Sequence, residues 1–279
     1  MDIGFTITQK ERLTELGADG YSEMMFPEKS SRDKKFAELD KRLCADNREK
    51  ITHLLKEKHA PDAYIIERAL EKWLMGQMGF TKVTTPILIT GDMLNKMSID
   101  EGSQLREQVF WVEKNKCLRP MLAPNLYVLM RELHRITNEP VRIFEAGPCF
   151  RKESQGALHL NEFTMLNLVE YAANEPGGQL KRLEFLAGAA MEAIGIEEYE
   201  FVRETSAVYG ETLDVEVSGI EIASGSYGPH ALDPAWGVFE PWVGLGLGIE
   251  RAALIKGGCQ NIKRVGKSIT FIDGATLSV

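Results

Sequence analysis

The chain has 279 residues, room for one large catalytic domain or two small ones, and its 44% hydrophobic and 27% charged content is ordinary for a globular protein. A net charge of −8 argues against sequence-blind nucleic-acid binding, which rests on a basic surface overall. No apolar stretch reaches about 18 residues, and the start MDIGFTITQKERL lacks the apolar core of a signal peptide. The expected setting is cytoplasmic, with no membrane contact.

The four cysteines, Cys44, Cys117, Cys149 and Cys259, are scattered, so no CxxC pair and no zinc spacing arises, and the five histidines form no HExxH. Reduced, mostly buried thiols are the expected state. Residues 1–60 are the most charged part. A short helix is expected from Thr8 to Leu16, ended by Gly17. A second should start at Ser30 or Ser31 and reach Leu43. A third should start at Asp46, with Glu49 completing a capping pair, and stop before Pro61. Lys29, Arg32, Lys34, Lys35, Lys41 and Arg42 concentrate positive charge here. Each lysine alone reads as part of a solvated face; together they form a candidate patch for a nucleic-acid backbone.

From Asp62 to Gly79 the residues Ile65, Ile66, Ala69, Leu70, Trp73, Leu74 and Met78 follow helical spacing. Phe80 to Thr90 reads as a strand containing Pro86, which suits an edge or interface. Val109–Val112 and 117–121 read as a hairpin. Ala123 opens a helix with Pro124 in its first turn; Ala123, Leu126, Tyr127 and Met130 share one face of it. Leu180 to Ile194 reads as a helix, Tyr199–Arg203 and Glu211–Val217 as strands. The stretch DVEVSGIEIAS, 214–224, reads as a hairpin turning at Ser218-Gly219. Residues 225–241, rich in Gly and Pro, read as loop, and Val265–Phe271 as a last strand. Strands outnumber βαβ units, which predicts an α+β fold with an antiparallel sheet flanked by helices.

Phe144 to Glu170 is the most informative stretch. It reads as two strands around a polar loop, with Arg151 and Glu153 on one face of the first and Phe163, Met165, Asn167 and Val169 on one face of the second. Paired, they would offer a cation, a carboxylate, an aromatic ring and an amide, a set suited to a nucleotide. An ordinary hairpin with a charged loop end also satisfies the pattern. In WVGLGLGIER, 242–251, three glycines alternate with apolar residues before a helix that begins at Glu250-Arg251. Glu221 and Ser224 are hard oxygen donors of the kind Mg²⁺ accepts beside phosphates.

Together these segments resemble the class II aminoacyl-tRNA synthetases. Pro86 in VTTPILI resembles the first class motif, Arg151 to Phe163 the second and GLGLGIER the third. LRPMLAPNLY (118–127), FRKES (150–154), HLNEFTMLN (159–167), VYGETLDV (208–215) and PWVGLGLGIER (241–251) resemble the catalytic domain of the pyrrolysyl-tRNA synthetase family, in order and at similar spacing. The resemblance implies a ligase that activates pyrrolysine, or a similar lysine derivative, with ATP and Mg²⁺ and transfers it to tRNA(Pyl). It implies a homodimer formed around Pro86. It assigns Arg151 to the α-phosphate, and Glu153, His159, Leu160, Phe163, Glu221, Ile222, Ser224 and Arg251 to ATP, with Glu221 and Ser224 holding the metal. Arg151 and Arg251 would carry the catalysis.

The resemblance places the amino-acid pocket at Ala123, Leu126, Tyr127, Met130, Asn167, Val169, Tyr209, Ser226 and Trp242. The chain departs from the family pattern at Ser226, Tyr227 and Val169. Residues 61–279 would form the synthetase core, and residues 1–60 a helical segment contacting tRNA without a partner protein. The alternatives are another class II synthetase, such as one for phenylalanine, and a non-catalytic nucleotide-binding paralogue.

Overall fold

The structure is a computed structural model that describes residues 2–152 and 156–279. It divides into two compact units. One comprises Met1–Tyr64 with Ala253–Val279, the other Ile65–Ala252.

In the first unit, strand β1 (Ile3–Gly4) pairs with β2 (Met25–Phe26) around helix α1 (Ile7–Glu15). Thr6 caps α1 in a reciprocal box with Gln9. Helix α2 runs unbroken from Lys29 to Lys56, where two helices were expected. The Asp46-x-x-Glu49 signature does not start a helix, because the neighbouring Asn47 is drawn inward. Its amide donates to the carbonyls of Leu16 and Leu43 and accepts from the Thr276 amide. Phe5, Leu13, Ala18, Phe26 and Leu39 form a small core, so these helices do carry an apolar face. The expected strand over 265–271 is absent. A 3₁₀ turn at Ile262–Arg264 precedes two-residue strands at Phe271–Ile272 and Ala275–Thr276. The cause is Arg264, which turns inward to the carbonyls of Glu15 and Gly274.

The second unit holds most of α3 (Asp62–Gly76), then β3 (Thr81–Lys82), β4 (Leu88–Thr90), α4 (Gly91–Asn95), β5 (Trp111–Glu113), β6 (Lys116–Leu118) and α5 (Ala123–Thr137). There follow β7 (Val141–Phe150), β8 (Glu162–Tyr171), α6 (Gln179–Ala193), β9 (Glu200–Ser206), β10 (Gly210–Val217), β11 (Ile220–Gly228), α7 (Asp233–Trp236), β12 (Trp242–Gly248) and the start of α8 (Ile249–Lys256). Seven strands form one sheet in the order β3-β7-β8-β12-β11-β10-β9, antiparallel except where β3 runs parallel to β7. The expected α+β fold with a mainly antiparallel sheet is therefore present.

Two expectations change here. The strand around Pro86 is split: β3 joins the large sheet and β4 joins β5 and β6 in a small one. Thr85 and Pro86 are held between them instead by side chains, the Glu145 carboxylate on Thr85 and the Asn125 amide on Thr85 and the Pro86 carbonyl. Residues 225–241 are not all loop, since β11 continues to Gly228 and α7 follows. Two of the glycines that suggested a loop are packing positions. A Cβ at Gly225 would lie 2.5 Å from Leu183 of α6, and one at Gly228 would lie 1.8 Å from the Trp242 indole nitrogen.

The sheet has two unlike faces. Leu166, Leu168, Leu245, Leu247 and Ala223 are buried and belong to the face that α6 covers. Glu170 also points there, and Arg182 of α6 binds its carboxylate at 2.7 Å and 2.8 Å. The opposite face carries the glycines of β12 and most of the candidate site.

Candidate active site

Residues directly opposite each other in neighbouring strands project to the same face. The register therefore builds the site in rows. One row runs Glu145, Asn167, Gly246, Ser224, Asp214 across five strands. The next runs Ile143, Val169, Gly244, Ser226. A third runs Gly147, Met165, Gly248. The alternating glycines of β12 keep this face low, and the apolar residues between them anchor the strand on the other side.

Glu221 and Ser224 stand three residues apart, which on a regular strand would put them on opposite faces. A bulge resolves this: Glu221 opposes Glu216 while Ala223 opposes Val215, so Ile222 has no partner in β10. Asp214 and Glu216 share a face, so Glu221 and Ser224 share it too. Ile222 itself is buried. The Ser224 hydroxyl donates to Asp214 at 2.6 Å, which engages its proton and leaves its oxygen lone pairs available. An exposed carboxylate and an oriented hydroxyl oxygen on one face fit a hard cation such as Mg²⁺. Arg251, in the first turn of α8, donates to the Glu221 carbonyl at 2.9 Å and lies 3.4 Å from its carboxylate.

At the same end of the strands, Arg151 follows the last residue of β7. It is not part of the strand, but its amide still donates to the Asn161 carbonyl. Its guanidinium lies 5.2 Å from the centre of the Phe163 ring and donates to the Pro120 carbonyl at 2.9 Å. The expected pairing of Arg151 with Phe163 is thus formed. Glu153 lies outside the described residues. His159 and Leu160 are half-buried in the approach to β8. Glu250 accepts the Thr164 amide with both oxygens, 2.8 Å and 3.0 Å, and so ties the start of α8 to β8 where β12 has ended.

Among the pocket residues, Leu126, Tyr127 and Met130 are buried on one face of α5, and Ala123 is half-buried. Tyr127 stacks on Trp236 at 5.2 Å and meets Trp242 edge-on at 5.6 Å. Its hydroxyl donates to Asp233, and burial, with Tyr209 and Asp233 nearby, pushes the phenol far above its usual range. Tyr209 lies 6.2 Å from Trp242, just before Gly210, whose φ of +67° needs glycine. Val169 and Ser226 are buried across Gly244 from each other. The Asn167 carbonyl oxygen is buried without a hydrogen-bond partner among the described residues. Burial pushes the Cys149 thiol up to about 12 and that of Cys117 up to about 11, so neither is poised as a nucleophile.

Of the patch residues, Lys29, Arg32, Lys34 and Lys35 lie at the start of α2, outside this unit. Arg32 pairs with Asp33 at 2.8 Å and Lys35 with Glu38 at 2.7 Å, while Lys29 and Lys34 are exposed. His59, Asp62 and Asp273 form the one other group with metal-compatible spacing among the described residues, and its histidine is already paired to Asp273 at 2.6 Å. No described helix is long and apolar enough to cross a membrane.

The sequence reading missed several residues. Arg119 and Glu145 form a buried ion pair at 2.7 Å, each side chain 2% exposed. Asp214 and Asp233 orient site residues. A carboxylate at an inward strand position, Glu145 between Ile143 and Gly147, was the available signal. Asp233 gave none, because Asp-Pro in a Gly- and Pro-rich stretch is ordinary turn chemistry.

The pattern of the family described as tRNA synthetases class II core domain (F) matches residues 49–274. Two solved structures align over nearly the full length. The crystal structure of pyrrolysyl-tRNA synthetase from Desulfitobacterium hafniense is 47% identical, with a TM-score of 0.91 and 99% of each chain covered. The PylSc structure, a pyrrolysyl-tRNA synthetase of the same organism, is 46% identical with a TM-score of 0.90, covering 99% of this chain and 98% of that one. Curated relatives are more distant. The threonine–tRNA ligase of Wolbachia pipientis subsp. Culex pipiens is 28% identical over 100 residues, and the match spans 34% of this chain and 15% of the relative. The O-phosphoserine–tRNA(Cys) ligase of Methanopyrus kandleri is 22% identical over 255 residues, 79% of this chain and 45% of the relative. The chain belongs to the class II aminoacyl-tRNA synthetases and, within them, to the pyrrolysyl-tRNA synthetase family.

Proposed function

We propose that the protein activates pyrrolysine, or a lysine derivative of similar shape, with ATP and transfers the acyl group to tRNA(Pyl). The observation that carries the substrate class is Asn167. Its side chain stands in the middle of the site face, and its buried carbonyl oxygen has no partner among the described residues. A secondary amide at the end of a long side chain supplies both an N–H for that oxygen and a carbonyl for the Asn167 amide N–H. Val169, Met130 and Leu126 are the apolar surroundings that the aliphatic stem needs.

Activation is an in-line attack of the substrate carboxylate on the α-phosphorus. It needs positioning and charge stabilisation, with no side-chain nucleophile. Arg151 stabilises the charge developing on the α-phosphate. Phe163 and Arg251 receive the adenine, with Glu153, His159 and Leu160 along its edge and the phosphates, and Ile222 supplying backbone. Glu221 and Ser224 would hold Mg²⁺, with Asp214 orienting the serine. When bound, the metal neutralises phosphate charge. Ile87 and Leu88, exposed beside Pro86, suit burial in a homodimer.

Lys29, Arg32, Lys34 and Lys35 contact the tRNA backbone in this reading, and the setting is cytoplasmic. The test is charging of a pyrrolysine tRNA transcript by the purified chain with no other protein added. Aminoacylation without a partner supports the reading. Aminoacylation only after a second protein is supplied overturns the role given to the chain's own patch.

A further inference from the structure

Asp233 is 3% exposed, yet nothing cationic pairs with its side chain among the contacts that fix it. Its carboxylate is held by three neutral donors. The Tyr127 hydroxyl of α5 donates to one oxygen at 3.1 Å. The Trp242 indole N–H of β12 donates to the other at 2.9 Å, and the His230 amide joins that oxygen at 2.5 Å. Burying a carboxylate is unfavourable, and for packing alone an apolar residue would serve better. This one joins two aromatic rings from elements far apart in sequence.

The surroundings are shaped for the same contact. Gly228 has no side chain, and the Trp242 indole crosses the space a Cβ would take, 1.8 Å from the indole nitrogen. Trp236, three residues after Asp233, stacks on Tyr127. The His230 ring bonds the Tyr209 carbonyl at 2.6 Å, so the same turn also holds the segment bearing Tyr209.

We propose that Asp233 is a positioning residue for amino-acid recognition: its carboxylate clamps Tyr127 and Trp242 as the rigid end wall of the acyl pocket, and so sets how large a side chain the pocket accepts. This rests on the proposed function for the identity of the substrate. The clamp itself does not depend on it.

The experiment pairs a ligand-free arm with a kinetic arm. In Asp233→Ala both rings lose their acceptor, whereas an asparagine could still accept the Trp242 N–H and donate its NH₂ to the Tyr127 oxygen. Hydrogen exchange of the Trp242 indole N–H, identified by its loss in Trp242→Phe, should be slow in the wild type and fast in Asp233→Ala. Equal exchange in the two proteins overturns the clamp, whatever the substrate proves to be.

For kinetics, ATP–pyrophosphate exchange is run with whichever amino acid of a panel the wild type activates. KM for that amino acid should rise about tenfold to a hundredfold, the scale of one lost hydrogen bond to a charged group. KM for ATP should stay within about twofold, and bulkier lysine carbamates should gain relative to the wild-type substrate. Tyr127→Phe removes only a hydroxyl and keeps the fold. It should raise the same KM alone, yet add less than about twofold on top of Asp233→Ala, because both break the Tyr127–Asp233 contact. Equal loss for amino acid and ATP, or full additivity of the two changes, refutes the positioning role. A wild type that activates only a non-lysine amino acid refutes the proposed substrate while leaving the clamp to be judged on the amino acid found.

Discussion

Replacing Glu145 by alanine tests the buried network beneath the site. Glu145 and Arg119 are each 2% exposed in their side chains and 2.7 Å apart. The carboxylate also accepts the Thr85 amide at 3.1 Å and the Thr85 hydroxyl at 2.6 Å. Removing it leaves the Arg119 charge buried, with the oxygens of Pro148 and Thr85 as its remaining partners among the described residues. Breaking a buried pair from one side costs about 3–5 kcal/mol, and the stranded Thr85 amide keeps the loss at the upper end of that range. That is a third or more of a typical domain's net stability. Replacing both partners, Arg119→Met with Glu145→Leu, removes the stranded charge but not the stranded amide. The double variant should therefore recover about 2 kcal/mol relative to Glu145→Ala. Urea midpoints followed by circular dichroism measure both. A Glu145→Ala protein within about 1 kcal/mol of the wild type, or a double variant less stable than the single one, would refute the reasoning.

Four further outcomes are expected. Arg151→Ala should slow adenylate formation roughly 10²–10³-fold, the scale of losing one preorganised charge stabiliser, and a loss under about threefold in pre-steady-state exchange would remove it from the α-phosphate. Burial alone would raise the Glu170 pKa, but the guanidiniums of Arg182 and Arg142 hold it below its ordinary value of 4.5. Its stabilisation is therefore full above the unfolded value and lost as pH falls through the folded one. Glu170→Gln should be destabilised at neutral pH, with the gap to wild type closing as pH falls below the ordinary value of 4.5 and the carboxyl protonates; a gap constant with pH contradicts this. Neutralising Lys29, Arg32, Lys34 and Lys35 together should weaken tRNA binding and flatten its salt dependence by a few phosphate contacts, while pyrophosphate exchange stays unchanged. Sedimentation should give a mass near twice 31.3 kDa, and an active monomer would contradict the interface placed at Pro86.

Much of this site is local in the sequence. The period-2 alternation of Phe163 to Val169 and the glycines of 244–248 specify strand faces, and the register placed those faces together. Ser218-Gly219 marked its turn, with φ of 52° and 75°. What was illegible depends on distant partners. The split at Pro86 follows from Glu145 and Asn125 reaching Thr85 across long sequence separations. The unbroken α2 follows from Asn47 finding Leu16 and Thr276. That Glu221 and Ser224 share a face requires the bulge at Ile222, which no spacing rule predicts. Asp233 reads as a turn residue until α5 and β12 converge on it.

The most direct test of the account is amino-acid-dependent ATP–pyrophosphate exchange by the wild-type chain across a panel of the twenty standard amino acids, pyrrolysine and Nε-acyl lysines. The account predicts exchange with pyrrolysine and with acyl lysines that carry a side-chain amide, loss of that exchange in Asn167→Ala, and none with phenylalanine. Exchange with phenylalanine, or no exchange with any amino acid, would contradict it.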